Sequence, residues 1–389
     1  MMTIIKIIGV VVLVLVAAIG FLYWLSSKPI MKDQAISDIK GIADKSINDK
    51  KSIYSALVYI DAPQKDLTVK YAAGESNGEK IKTDQPFHVA SVGKQFTATL
   101  IGRLIDEGKI KLHDPVGLYL DDALLDNLFV FKGVDYKDLV TIQQLLSHTS
   151  GVADYFALKD NGLMESLYQT PDKFFTPQEL VKYTQEHQTA YFAPGNGYHY
   201  SDTGYILLGL IIESATKKPF HENLHEVIFD PLSMKDTYLM FYSEPQNGKR
   251  PIAEAWVNGH EISQFQSVSI DWAGGGVIST LDDLAVYIRA LYQGRIISPE
   301  TLEALNQFDY EFIPGIAYGN GFMQMQFDKF MPTLRFLPKM TGHMGVLGTQ
   351  LFYDAATDMV YVSSLGSSDA TAASVQTMIQ TLSTVYRIK

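Results

Sequence analysis

Cysteine is absent from all 389 residues, and that one absence removes a great deal. Disulfide bridges, thiolate nucleophiles, cysteine-ligated zinc and iron–sulfur clusters are excluded, so any nucleophile here is an oxygen or an amine. Positive charge is also scarce. Lysine and arginine number 32 against 43 aspartates and glutamates, a formal net charge of −11. That balance leaves no basic footprint for a nucleic-acid backbone. Charged residues of either sign make up only 19% of the chain and apolar ones 47%, a composition that buries a core. The length fits two domains or one large composite. No internal repeat, low-complexity tract or linker interrupts the chain after residue 50.

Charge is missing altogether from residues 7–25, IIGVVVLVLVAAIGFLYWL. A helix of that length matches the thickness of a bilayer core. Tyr23 and Trp24 stand where an interfacial aromatic belt would be, and Lys6 flanks the other end. The competing reading is a cleaved signal peptide using Ala17 and Ala18, which would leave Phe21–Trp24 on the mature terminus. The expectation is therefore residues 1–28 as a membrane anchor or signal segment and 29–389 as one exported, extracytoplasmic domain. Secretion after cleavage is the alternative.

Along that domain, residues 33–46 carry apolar positions at Ile36, Ile39 and Ala43, a weakly amphipathic helix. Ile53–Ile60 and Leu67–Ala73 read as an antiparallel strand pair joined through Asp61, Ala62 and Pro63. A helix is expected from about Ser91 to Glu107, stopped by Gly108. From about 110 to 265 the pattern is mostly helix and loop. Strand signals return at Gly348–Tyr353 and Met359–Leu365, followed by a helix from about 370 to 386. Strands at both ends with helices between predict an α+β fold, one antiparallel sheet built by the two chain ends and flanked by helices, with a helical insertion.

Three segments carry candidate chemistry. In His88-Val89-Ala90-Ser91-Val92-Gly93-Lys94, Ser91 and Lys94 lie three apart and share a helical face, so the amine can reach the hydroxyl. A serine hydroxyl needs such a base before it attacks a carbonyl. Alone, S-x-x-K is a common pairing, and Ser91 as a plain helix cap is the bland reading. In Tyr198-His199-Tyr200-Ser201-Asp202, glycine and proline shape a preceding loop, and a helix begins after Asp202 as N-cap. A tyrosine at that junction can act as acid or base if a nearby cation lowers its pKa. In Thr341-Gly342-His343-Met344-Gly345-Val346, just before a strand, glycines would let substrate approach a sheet edge that lends N–H groups to an oxyanion.

Together the segments resemble the penicillin-recognising serine hydrolases, in the branch of class C β-lactamases, D-alanyl-D-alanine carboxypeptidases, D-aminopeptidases and related esterases. That family is marked by S-x-x-K, then Y-x-N, then K-T-G or H-x-G. The counterparts are Ser91/Lys94, Tyr200/Asp202 and His343/Gly345, with family-like text at Leu145-Leu146-Ser147-His148-Thr149-Ser150-Gly151, Pro231–Met234, Ala273-Gly274-Gly275-Gly276 and Tyr318–Gly321. The resemblance covers about residues 50–385. It implies a β-lactamase/transpeptidase-like fold with the site between sheet and helical subdomain. It implies attack by Ser91 assisted by Lys94 and Tyr200, an oxyanion hole from the backbone N–H groups of Ser91 and Val346, and His343 helping to hold Tyr200. His148 and Ser150 are expected to satisfy buried backbone rather than touch substrate. No metal or organic cofactor is implied, and the partner is a small-molecule or cell-wall-derived substrate.

Two departures bear on substrate. Asp202 stands where the family has asparagine, and an ionised carboxylate only accepts hydrogen bonds. It favours the charged form of Lys94 and repels anions. Met344 replaces the threonine that helps bind a substrate carboxylate in the lactamase and carboxypeptidase branches. An esterase- or amidase-like activity on a neutral or amine-bearing substrate is therefore expected. The alternatives are a carboxypeptidase or class C-type β-lactamase, and a catalytically weak ligand-binding homologue. His221-Glu222-Asn223-Leu224-His225 fits the zinc pattern H-E-x-x-H but lacks a third ligand at the usual downstream spacing.

Overall fold

The computed structural model describes residues 28–157 and 162–389. The expected span at 7–25 lies outside the described residues. Among those described, no helix is long and apolar enough to cross a membrane.

Helix α1 (Lys32–Ser46) leads into strands β1 (Ser55–Ala62), β2 (Leu67–Ser76) and β3 (Glu79–Lys80). The chain then leaves this sheet and returns at Tyr310. It adds β4 (Tyr310–Ile313), β5 (Ile316–Tyr318), β6 (Met323–Met325), β7 (Met340–Gly345), β8 (Thr349–Asp354) and β9 (Met359–Ser364), and ends in a helix at Thr371–Tyr386. The nine strands lie in the order β4-β5-β6-β7-β8-β9-β1-β2-β3. The two chain ends meet where β1 pairs antiparallel with β9, Tyr59 opposite Val362. The expected sheet closed by both termini is what forms.

Apolar side chains leave both faces of this sheet, because both are covered. On β1, Ala56, Val58 and Ile60 pack with Ala35, Ile39 and Ala43 of α1 and with Met378, Leu382 and Val385 of the C-terminal helix. Leu57 points the other way, into the larger core shared with the helical region, as a period of two requires. The α1 face differs from the expected one. Ala35 takes the buried place, with Ile39 and Ala43, while Ile36 is only partly covered.

Between β3 and β4 the chain builds the helical region, including Gly93–Asp106 (α2), Asp202–Thr216 (α3) and Leu281–Tyr292 (α4). It also contains a small three-stranded sheet of Phe87–His88, Val277–Ser279 and Tyr238–Leu239. The segment expected to be a loop before a strand, 341–345, is itself strand β7. It is an interior strand, paired with β6 and β8, not a sheet edge. Its glycines hid it, because they weaken the β signal.

Candidate active site

Ser91 sits in a 3-10 turn, Ala90–Val92, that runs into α2. Ala90 before it has φ +49, a left-handed conformation uncommon for a residue with a β-carbon. The turn is held from behind, as His88 Nδ1 accepts the Ala90 N–H at 3.1 Å. The helix packs unusually close to the Ala273–Gly276 stretch. A β-carbon on Gly93 would lie 2.8 Å from Gly275 Cα, so those glycines bring the loop against the turn.

Lys94 follows one helical turn after Ser91 and is fully buried. Its Nζ donates to Ser91 Oγ at 3.3 Å, to the Gly274 carbonyl at 2.9 Å and to Asp202 Oδ1. Three acceptors around one nitrogen use all three protons of an ammonium. Asp202 is the first residue of α3 rather than its cap. Ser201 occupies the cap position, and the Asp202 carboxylate turns to Lys94 instead. The pull of a buried cation outweighs a capping bond of about 1 kcal/mol.

The loop carrying Tyr200 is tied to the Leu145–Gly151 segment. His148 carbonyl accepts the His199 N–H at 3.0 Å, Thr149 carbonyl accepts the Gly195 N–H at 2.8 Å, and His148 Nδ1 accepts the Ser201 N–H at 3.1 Å. Ser150 Oγ accepts from the Val152 N–H at 3.3 Å. His148 and Ser150 thus satisfy buried backbone, as expected. The Tyr200 phenol lies beside the Ser91 side chain, and its ring lies 4.9 Å from Lys94 Nζ. Burial and the Asp202 carboxylate push its phenol well above the ordinary range. The expected lowering by a cation does not occur, because burial first, and then the Asp202 carboxylate, favour the protonated phenol.

His343 makes no direct hydrogen bond to Tyr200. Its Nδ1 contacts the Met344 carbonyl at 2.7 Å and must donate there, which leaves Nε2 to accept from the Tyr318 hydroxyl at 3.2 Å. Burial and nearby Lys94 push its pKa down to about 3, so it is neutral. The rings that pack on Tyr200 are His148, with centroids 4.2 Å apart, Phe312 at 5.5 Å and Tyr318 at 5.9 Å, so His343 reaches Tyr200 only through Tyr318. Gly345 ends β7 against the nucleophile turn. A β-carbon there would stand 2.8 Å from the Val89 carbonyl oxygen and 3.2 Å from Ser91 N. Val346 follows, half-buried. A narrow apolar pocket, too small to hold more than a water or two, lies beside Ala90 and Val346, walled by Phe156, Leu167, Met240 and Ile262.

Two further carboxylates belong to the site and carried no motif. Asp154 Oδ1 accepts the Asp202 N–H at 3.0 Å. Burial, then repulsion from Asp202, raises its pKa to about 7. Asp271 lies 3.5 Å from His88 Nε2 and is raised to about 7 for the same two reasons. Neither was visible in the chain, since each partner lies tens of residues away and isolated aspartates are common. Three aspartates thus surround one lysine, and no histidine beside them is charged. His221 and His225 are elsewhere, on the turn pair Phe220–Leu224 and His225–Phe229, with His225 Nδ1 3.2 Å from Asp230. Among the described residues, no three histidine, aspartate or glutamate side chains gather as a metal site would need.

Known proteins match both the sequence and the shape. Two Bacillus subtilis (strain 168) relatives, a penicillin-binding protein and an N-acetylmuramyl-L-alanine amidase, are 30% and 27% identical over 243 and 238 residues, 58% and 54% of this chain. The matches cover 49% and 51% of those proteins, so the chain spans about half their length. Esterase EstB of Burkholderia gladioli is 24% identical over 355 residues, 82% of this chain and 87% of the esterase. The crystal structure of D-amino acid amidase from Ochrobactrum anthropi SV3 complexed with D-phenylalanine superposes with a TM-score of 0.73 at 23% identity. It covers 90% of this chain and 99% of the amidase, a likeness of fold. A family model described as Beta-lactamase matches residues 45–372, the stretch that supplies Ser91, Lys94, Tyr200 and strand β7, and the chain belongs to that family.

Proposed function

We propose that the protein is a serine hydrolase that forms an acyl-enzyme on Ser91 and cleaves an ester or amide of a neutral or amine-bearing substrate. The observation that carries this reading is the buried Lys94 Nζ, 3.3 Å from Ser91 Oγ and bonded to Asp202. In the resting state Nζ is an ammonium. When one of its protons passes to Asp202, the amine is free to take the Ser91 proton as Oγ attacks the carbonyl. The Ser91 and Val346 N–H groups stabilise the oxyanion. Tyr200, which keeps its proton at neutral pH, gives it to the leaving group and is reprotonated from Asp202 through Lys94. Water then takes the leaving group's place and releases the acyl group by the same route in reverse. Asp154, Asp202 and Asp271 make the surroundings of the reaction centre unfavourable for a substrate carboxylate, and Met344 adds no hydroxyl to bind one.

Steady-state hydrolysis of a p-nitrophenyl acyl ester, compared with nitrocefin and a D-Ala-D-Ala peptide, tests the preference. The ester is expected to turn over fastest, and activity is expected to vanish in Ser91→Ala. Faster cleavage of either anionic substrate defeats the substrate claim. The direct Lys94–Asp202 contact also favours a second reading, a ligand-holding homologue whose base has been silenced. Covalent labelling by a fluorophosphonate, lost in Ser91→Ala, separates the two. Residues 7–25 are read as a membrane anchor with the domain outside the cytoplasm, and the small-molecule substrate as a cell-envelope component. Secretion after cleavage is the alternative that an intact-mass measurement of the cellular protein decides.

A further inference from the structure

The described chain begins beside its own C-terminal end. Arg387 Nε donates to the Lys28 carbonyl at 3.0 Å, and the Ile30 N–H donates to the Arg387 carbonyl at 2.9 Å. The apolar stretch 7–25 therefore joins the folded body at this end. Here too lies the connection between β6 and β7, residues 327–339, FDKFMPTLRFLPK, with short helical turns at Phe327–Phe330 and Pro332–Leu334. Buried Phe327 and Leu337 pin it to the core. The Phe336 ring stands 6.3 Å from that of Tyr386, the residue before Arg387. Between the pins, Met331 and Phe336 are 54% and 45% exposed, and nearby Met31 is 66% exposed. Lys329, Arg335 and Lys339 are exposed in the same segment against a single acidic residue, Asp328.

Large apolar side chains grouped at a surface mark a contact face. A second such group exists, Leu118, Val134 and Leu139, but there Asp121, Asp122, Asp126, Asp135 and Asp138 outnumber Lys132 and Lys137. In a chain of net charge −11, the segment around Met331 and Phe336 carries a locally basic set, three cations to one acid. Anionic headgroups attract that set and are repelled by the acidic one.

We propose that residues 327–339, with Met31, form a membrane-facing surface that rests on an anionic phospholipid leaflet. Met331 and Phe336 enter the boundary between headgroups and acyl chains, and Lys329, Arg335 and Lys339 pair with lipid phosphates. The surface rests on the anchoring proposed for residues 7–25, which brings this end of the body to the bilayer.

The absence of cysteine makes single-site labelling free of background. The full-length chain, reconstituted into vesicles of phosphatidylglycerol and phosphatidylcholine, is spin-labelled in turn through Val14→Cys, Met331→Cys, Phe336→Cys or Leu139→Cys. Collision rates with oxygen and with a water-soluble nickel chelate report lipid or water at each site. The expected result is lipid at positions 14, 331 and 336 and water at 139. Nickel collisions at 331 and 336 are expected to rise about threefold or more with Arg335→Glu and Lys339→Glu together, or in pure phosphatidylcholine. Water at 331 and 336 with lipid at 14 overturns this surface and leaves the anchor standing. Water at 14 overturns the anchor and the surface with it. Lipid at 139 as well as at 336 also sinks the proposal, because the body would then be adsorbing without orientation.

Discussion

The two walls of the site are built from different materials. The helical wall, from the Ser91 turn, α2, the Ala273–Gly276 stretch and the start of α3, holds Lys94, Asp202, Asp154 and Asp271, the charged groups named at the site. The sheet wall, β7 with Tyr318 behind it, offers a neutral imidazole, a methionine and a glycine that meets the nucleophile's backbone. In the proposed mechanism one wall moves protons, and the other fixes where a carbonyl oxygen lies. Damage to the first should alter chemistry and its pH dependence. Damage to the second should alter fit.

The largest expected effect is on the charged wall. Lys94→Met should lower kcat/KM by about 10³- to 10⁴-fold. It should also lower the melting temperature, because the buried Asp202 carboxylate loses its partner. Adding Asp202→Asn should restore the melting temperature without restoring turnover. If stability and activity return together, Lys94 is a structural cation only. On the other wall, Gly345→Val should cost about 10²- to 10³-fold in kcat, because its β-carbon must push the Ser91 turn away. Titration of active serine with a fluorophosphonate should then show the site still present but slow. A Gly345→Val enzyme of normal rate would mean the two walls do not have to touch.

Asp202→Asn alone should move the substrate preference, raising nitrocefin turnover relative to the p-nitrophenyl ester by about tenfold. An unchanged ratio would remove Asp202 from the account of specificity. The smallest effects concern stability against pH. His343 has its pKa lowered, so the stability it contributes is present above about pH 6.5 and is lost as pH falls toward 3. His343→Gln should flatten that acid limb by roughly 1 kcal/mol per pH unit. Asp271 is raised, so its contribution is present at low pH and lost as pH rises through about 7. Asp271→Asn should therefore melt higher than the parent at pH 8 and no higher at pH 4. Chemical denaturation at both pH values checks the pair.

The sheet wall was the harder one to read in the chain. β1, β2, β8 and β9 announced themselves through β-branched runs. β7 did not, because Gly342 and Gly345 interrupt it, and β4 to β6 are only three or four residues each. The spacing of Ser91 and Lys94 was legible because a helix repeats locally. Tyr200 and His343 were found by their motifs, but their partners were not. His148 packs on Tyr200 directly, while His343 is joined to it through Tyr318. Asp154 and Asp271 were silent. Their importance comes from burial beside Lys94, which nothing local in the chain encodes.

Strand β7 also acts as a ruler. It starts where the 327–339 connection ends and finishes against the Ser91 turn, six residues later, a span of about 17 Å for an extended chain. If the connection lies on lipid as proposed, the Ser91 hydroxyl would be held within a strand's length of the bilayer. On that reading only substrates in the thin zone next to the membrane would come within its reach.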